Sequence, residues 1–300
     1  MFLKRTLSTF VLMAAGAIVL TLPAWLWSVF ILVVSMRLNS ELAVIMSAKG
    51  YRHAQRMSTL FSALIVVTTA CLLYFRLEDP YISWPVQPQA LATPAVSAAL
   101  ATWRAVHPLV MTTQSAALAL AFVGIFCIFC LFDKPRATIA DIATSFLGLI
   151  YVGWFPTFWI LIRWIPGGMW LMIWVTIGIV MSDISAYLVG RVAGKHPFFP
   201  QLSPKKTIEG ATGSMIITSA TLAAIGPYFG IPMPHALTLG LLMAVAAQAG
   251  DLAESLLKRD AGVKDSANLI PGHGGLLDRF DSFLFTAPLA YFYLAAFVFG

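Results

Sequence analysis

The sequence predicts an all-α, polytopic integral membrane protein with about nine transmembrane helices. Three observations carry that prediction. Hydrophobic residues make up 59% of the 300 residues and charged residues only 11%, with a mean hydropathy of +0.84, whereas a soluble domain is about 45–50% apolar and about 25% charged. The apolar residues come in runs long enough to cross the hydrocarbon layer, which takes about 20 residues per helix. The basic residues fall between those runs with a strong sidedness. A soluble enzyme is excluded, and so is a disordered chain, because 21 Phe, 9 Trp and 8 Tyr carry more apolar surface than a solvated chain holds.

In chain order the expected spans are 6–21, 24–47, 57–75, 108–132, 139–163, 168–190, 210–227, 234–257 and 282–299. Lys4 and Arg5 precede the first run as they would in a secretory signal. No small-residue cleavage pattern follows, and the run continues past Pro23 to Met36, so it reads as two helices broken near Pro23. The seventh span is rich in Gly, Ser and Thr and gives the weakest signal. The stretch 79–108 contains Pro80, Pro85, Pro88, Pro94 and Pro108 and reads as a long loop with a short interfacial piece. Cys71, Cys127 and Cys130 lie in apolar runs with no second pair and no nearby His, so they read as small apolar residues rather than metal or redox groups. The chain shows no internal repeat, heptad or low-complexity tract. It divides into residues 1–107, with three spans and an outer loop, 108–190, with three more, and 191–300, with three spans and the polar motifs.

With the N-terminus in the cytoplasm, the inner segments hold Lys4, Arg5, Lys49, Arg52, Arg56, Lys134, Arg136, Arg191, Lys195, Lys205, Lys206, Lys258, Arg259, Lys264 and Arg279. The outer segments hold only Arg76, Arg104 and Arg163, and Arg37 lies within a span. A wrong helix count would scramble this asymmetry, so it supports nine spans. The net charge of +6 accordingly speaks of topology and anionic lipid, and no nucleic-acid partner is expected. Acidic residues are sparse before residue 180 (Glu41, Glu78, Asp79, Asp133, Asp141) and cluster after it, in or beside inner segments. Residues 180–282 on the cytoplasmic side are therefore the expected seat of function.

Three constellations lie there. Asp183, Tyr187, Gly190 and Arg191 share one helix face, and a carboxylate within a span costs about 2.5–3.5 kcal/mol at mid-membrane, so it faces a polar cleft or a cation. Ser203-Pro204-Lys205-Lys206-Thr207-Ile208-Glu209-Gly210 reads as a loop opening the seventh span, where Thr207 caps a helix start whose N–H groups favour an anion. Gly190 to His196 resembles a phosphate-binding P-loop only superficially, because its spacing is wrong and no Ser or Thr follows Lys195. The third runs from Gln248 to Ser282. Asp251, Glu254, Ser255 and Lys258 form a stripe at i, i+3, i+4 and i+7. Pro271, Gly272, His273, Gly274 and Gly275 can bend tightly and bring backbone N–H groups to a phosphate, and Asp278 and Asp281 share the next helix face. Carboxylates with Lys and Arg together suggest a hard divalent cation sharing phosphate oxygens, Mg²⁺ being the usual ion. His273 reads as a phosphate donor or, with more weight, as an acid/base group or a loop hydrogen-bonder.

The run from Ser255 through Lys258, Arg259, Lys264, Asp265, Pro271, Gly272, His273, Gly274, Gly275, Asp278 and Arg279 to Asp281 resembles the hallmark of phosphatidate cytidylyltransferases, or CDP-diacylglycerol synthases. The upstream segments 183–191 and 203–210 match that family in the right order, whereas the first 130 residues match in hydropathy alone. Ile208 stands in place of an aromatic and Ala267 in place of a Gly. The resemblance implies transfer of a cytidylyl group from CTP to phosphatidic acid, in an all-helical homodimer of the cell inner membrane with a cytoplasm-facing polar active-site cavity. It implies Mg²⁺, held by Asp251, Asp278, Asp281 and Glu254, and a second cation, K⁺. The catalytic set it implies is Asp251, Asp278, Asp281, Lys258, Arg259 and His273, the last as proton donor to pyrophosphate. Substrate contacts fall to Lys205, Lys206, Ser255, Lys264, Asp265, Arg279, Asp183 and Tyr187. A CTP-dependent enzyme acting on another lipid, such as a polyprenol kinase, would use the same phosphate chemistry. An ion-coupled transporter would also carry intramembrane carboxylates, though nearer the midplane and in two matching halves.

Overall fold

In hydrocarbon every backbone N–H and C=O has to be paired within the chain, and the apolar runs meet that demand by forming helices almost end to end. The computed structural model describes residues 19–52, 54–77, 94–132, 137–267 and 274–299. The helices are α1 (Ala24–Ala48), α2 (Gln55–Arg76), α3 (Pro94–Phe132), α4 (Ile139–Gly148), α5 (Thr157–Arg163), α6 (Gly168–Ala193), α7 (Ile208–Ile225), α8 (Met233–Asp260) and α9 (Leu277–Tyr293). Among the described residues eight helical stretches are long and apolar enough to cross a membrane. They correspond to the second through ninth expected spans; the first, 6–21, falls almost wholly outside the described residues.

Three features depart from the sequence reading. Residues 94–107, expected as loop, are helical and make α3 a 39-residue helix with Pro108 inside it. Pro94 sits at the helix start, where its missing N–H costs nothing, and the following Ala-rich residues favour helix. The fifth expected span is broken: α4 passes into a π-helical turn, Leu149–Trp154, and α5 begins only after Pro156. Proline cannot donate to the preceding turn, and π segments mark such interruptions. Residues 203–207, expected as loop, form β2 (Ser203–Thr207), which pairs antiparallel with β1 (Pro197–Phe199). That small hairpin is the one sheet among the described residues.

The helices pack as two groups joined through α5. In one, α7 lies between α6 and α8, and α8 packs along α9; in the other, α1 and α2 flank the π-helical turn and α3 packs on α2 and α4. The larger buried cluster includes Trp27, Phe158, Trp174 and Tyr291, all at most 5% exposed. Lipid tails are as apolar as these side chains, so close fit and interhelical hydrogen bonds hold such interfaces. Gln114 donates to Thr69 at 2.8 Å and to Thr157 at 3.3 Å, and accepts from Trp154 at 3.0 Å. Ser182 and Ser214 pair at 2.9 Å between α6 and α7. The hairpin is pinned to α7 by Glu209, which accepts from the backbone N–H groups of Lys195 (3.0 Å) and His196 (3.2 Å) and pairs with the His196 ring at 2.5 Å.

Candidate active site

The polar motifs meet where α6, the hairpin and the starts or ends of α7, α8 and α9 converge. Thr207 flanks α7 and accepts from the Gly210 N–H at 3.1 Å, the cap the sequence predicts. That helix start, β2 and the Asp183 face of α6 enclose a cavity of about 410 Å³. Its walls include Asp183, Tyr187, Arg191, Lys205, Lys206, Asp251, Asp278 and Asp281, with Gln248 and Ser282 beside them. A second cavity of about 380 Å³ is lined by Trp25, Val29, Tyr74, Phe75, Trp164 and other residues that include no carboxylate or amine.

The carboxylates play different parts. Lys206 Nζ stands 2.8 Å from Asp251 Oδ2, an ion pair across the cavity between β2 and α8. Asp183 makes no hydrogen bond among the described residues, so its oxygens face the cavity alone. Asp281 Oδ1 accepts from the Ser282 N–H at 2.6 Å, and the residue lines the cavity. Asp278 is heavily engaged: Lys258 Nζ lies 2.6 Å from its Oδ1, and the N–H groups of Ser266 and Gly275 donate to its Oδ2 at 3.1 and 2.7 Å. Lys258 also holds Glu254 at 2.6 Å. Glu254, Lys258 and Asp278 thus form a largely buried ion-pair cluster that reaches the cavity wall through Asp278, their side chains 2%, 13% and 12% exposed.

The remaining predicted residues stand further out. Ser255 donates to Asp251 at 3.4 Å, and Arg259 reaches the Leu202 carbonyl at 3.5 Å, tying α8 to the hairpin. Lys264, Asp265 and Arg279 are exposed and do not line the cavity, and His273 lies outside the described residues. Sequence reasoning missed Glu41 and Ser266. Glu41 is 1% exposed on α1 and accepts from the Leu276 and Leu277 N–H groups at 3.1 and 2.9 Å. Ser266 Oγ lies 3.0 Å from both Glu41 Oε2 and Asp278 Oδ2. The i, i+4 spacing from Arg37 gives no hint of this role, because the partners that define it lie more than 220 residues away.

Among the described residues no three His, Cys, Asp or Glu side chains form a ready-made metal cage. The donor set is nevertheless all oxygen, with four carboxylates lining the cavity alongside ammonium and guanidinium groups, and this suits a hard divalent ion that shares phosphate oxygens. The same cations suit a phosphate-rich ligand. Helices long enough to span a bilayer, with a mixed-charge cavity at their ends, fit the class of membrane proteins that handle phosphate groups. The match to the cytidylyltransferase family covers residues 3–297, and the chain belongs to that family. It is 39% identical over 206 residues to a phosphatidate cytidylyltransferase of Synechocystis sp., covering 57% of this chain and 68% of that protein. The phosphatidate cytidylyltransferase of Bacillus subtilis is 41% identical over 167 residues, covering 55% and 62%, and that of Staphylococcus saprophyticus 37% over 159, covering 52% and 60%.

Proposed function

We propose that this chain transfers the cytidylyl group of CTP to phosphatidic acid, giving CDP-diacylglycerol and pyrophosphate for membrane phospholipid synthesis. The observation that carries the reading is the single cavity in which Asp183, Asp251 and Asp281 face Lys205, Lys206 and Arg191 at helix ends. A phosphatidate oxygen attacks the α-phosphorus of CTP, the bond to the β-phosphate oxygen breaks, and pyrophosphate leaves. The phosphatidate dianion is already nucleophilic, so the chain supplies position and charge rather than a base. Lys205, Lys206 and Arg191 neutralise phosphate oxygens, and the N–H groups at the start of α7 add a fixed positive dipole. Asp183, Asp251, Asp278 and Asp281, with Glu254 behind them, are the residues that would hold Mg²⁺. Bound there, the metal would offset charge developing on the transferring phosphate.

A cytoplasm-facing cavity in the inner membrane, with a cytoplasmic N-terminus, suits both substrates, since CTP arrives from the cytosol and phosphatidate presents its head group at the interface. A homodimer and a second, monovalent cation, K⁺, belong to the same reading. The test is an assay of the purified full chain in detergent micelles with labelled CTP, Mg²⁺ and phosphatidic acid, followed by lipid extraction. Label is expected in a CDP-lipid only when phosphatidate is present, and its loss on EDTA addition would be reversed by Mg²⁺. Folded protein that labels a different lipid acceptor, or none, would overturn the reading.

A further inference from the structure

Glu41 is a buried carboxylate on a helix that contributes no residue to the cavity wall, and the proposed chemistry does not use it. We propose that Glu41 is a positioning residue for that reaction, fixing the start of α9 and, through Ser266, the carboxylate of Asp278. The inference rests on the reading of the cavity as the cytidylyl-transfer site. A carboxylate inside a membrane-spanning helix is costly unless donors surround it. Glu41 is 1% exposed and has three, Leu276 N–H on Oε1 at 3.1 Å and Leu277 N–H and Ser266 Oγ on Oε2 at 2.9 and 3.0 Å, with the Arg37 guanidinium forming an ion pair 3.4 Å from Oε1.

Two of those donors identify the role. The first N–H groups of a helix have no partner within it, and α9 starts without a side-chain cap of its own. Glu41 supplies the missing acceptor from a helix 235 residues away in sequence, and its negative charge also complements the positive end of the α9 dipole. The third donor carries the effect to the site. The Ser266 hydroxyl stands equally near Glu41 and Asp278, while its backbone N–H holds Asp278. One residue therefore ties the clamp to the ion-pair cluster at the cavity wall. The approach needs a residue without a side chain at Gly275, where a Cβ would overlap both Ser266 Oγ and Glu41 Oε2. Four residues along α9 from Leu277, Asp281 faces the cavity, so the seating of that first turn sets where its carboxylate lies.

The experiment compares wild type, Glu41→Ala, Glu41→Gln and Ser266→Ala as full chains in detergent, by amide hydrogen exchange and by steady-state kinetics. In Glu41→Ala the amides of Leu276 and Leu277 are expected to exchange at least about tenfold faster, while α5 and α6 stay at wild-type rates. The same variant should lose about tenfold or more in kcat, with KM for CTP changed less than about threefold. Glu41→Gln keeps one acceptor oxygen and should fall between, and Ser266→Ala should lower kcat without releasing the Leu276 and Leu277 amides. Faster exchange spread evenly over all helices, with kcat per folded molecule unchanged, would reduce Glu41 to general stability and overturn the proposal. Unchanged exchange at Leu276 and Leu277 would overturn it as well. A wild-type chain that transfers no cytidylyl group would sink the reaction reading, and the exchange data would still decide the clamp.

Discussion

Lys258 stands between Glu254 and Asp278 at 2.6 Å from each, with a side chain only 13% exposed. Removing one partner of a buried ion pair costs about 3–5 kcal/mol, because it strands the charges that remain. Lys258→Ala leaves two carboxylates facing each other, so its thermal unfolding midpoint should fall by several degrees and its turnover should vanish. Asp278→Asn is a milder test of the same cluster. The amide keeps one oxygen for Lys258 or for the Ser266 and Gly275 N–H groups, but its NH₂ then opposes the other donors. The protein should remain folded and lose turnover in the CTP assay; a folded Asp278→Asn variant with wild-type activity would show that the cluster has no catalytic consequence. Lys206→Ala should behave differently again. Lys206 pairs with Asp251 across the cavity, so its loss is expected to raise KM for CTP while the unfolding midpoint moves little. Helical period explains why much of this was legible in the sequence. The i, i+4 contacts of Ser255 with Asp251 and of Lys258 with Glu254 both form. Glu41 was not legible, since a lone carboxylate in an apolar run carries no spacing that points to a partner in another helix.

At the scale of elements, α8 and α9 are in close backbone contact where they deliver Asp251 and Asp281. A Cβ on Gly250 would overlap the carbonyl oxygen of Asp281 and lie 3.0 Å from its carbonyl carbon and 3.2 Å from the Ser282 Cα. Backbone cannot rotate away as a side-chain tip can, so Gly250→Ala has to part the two helices. Overpacking of this kind costs about 1–3 kcal/mol. Here it would also move two carboxylates of one cavity apart. Activity is expected to fall by at least about a hundredfold, well beyond what the change in folded fraction explains. Wild-type kcat in Gly250→Ala would mean that the separation of α8 and α9 does not set the chemistry. Other elements defied a local reading. Pro94 and Pro108 pointed to a loop, yet the first falls in the opening turn of α3 and the second is accommodated within it. The two Pro-flanked segments that form β1 and β2 are too short to show strand alternation, and their pairing depends on Glu209 and the Ile208–His196 backbone bond at 2.9 Å.

Across the whole molecule, contacts between distant segments sort the helix ends into two sets. Lys49 Nζ pairs with Asp260 Oδ1 at 2.9 Å, which raises the pKa of the lysine and joins the α1–α2 turn to the end of α8. Arg259 joins α8 to the hairpin through Leu202 at 3.5 Å. At the far ends of the helices, Arg163 reaches the Leu22 carbonyl at 3.4 Å and Arg104 the Phe299 carbonyl at 2.9 Å. The first set gathers most of the Lys and Arg outside the helices, and the second holds the few that the charge asymmetry assigns to the opposite side. If the basic set faces the cytoplasm, a thiol at the hairpin tip and one after α7 must lie on opposite sides of the membrane. Cys71, Cys127 and Cys130 would first be replaced by Ala, and Gln201→Cys and Tyr228→Cys then introduced singly, both positions being exposed. In sealed right-side-out vesicles an impermeant maleimide should label Tyr228→Cys at once and Gln201→Cys only after permeabilisation. The reverse order would invert the orientation and place the cavity where CTP is absent. Labelling of both from one side would be incompatible with α7 crossing the bilayer, because only a single crossing separates the two positions.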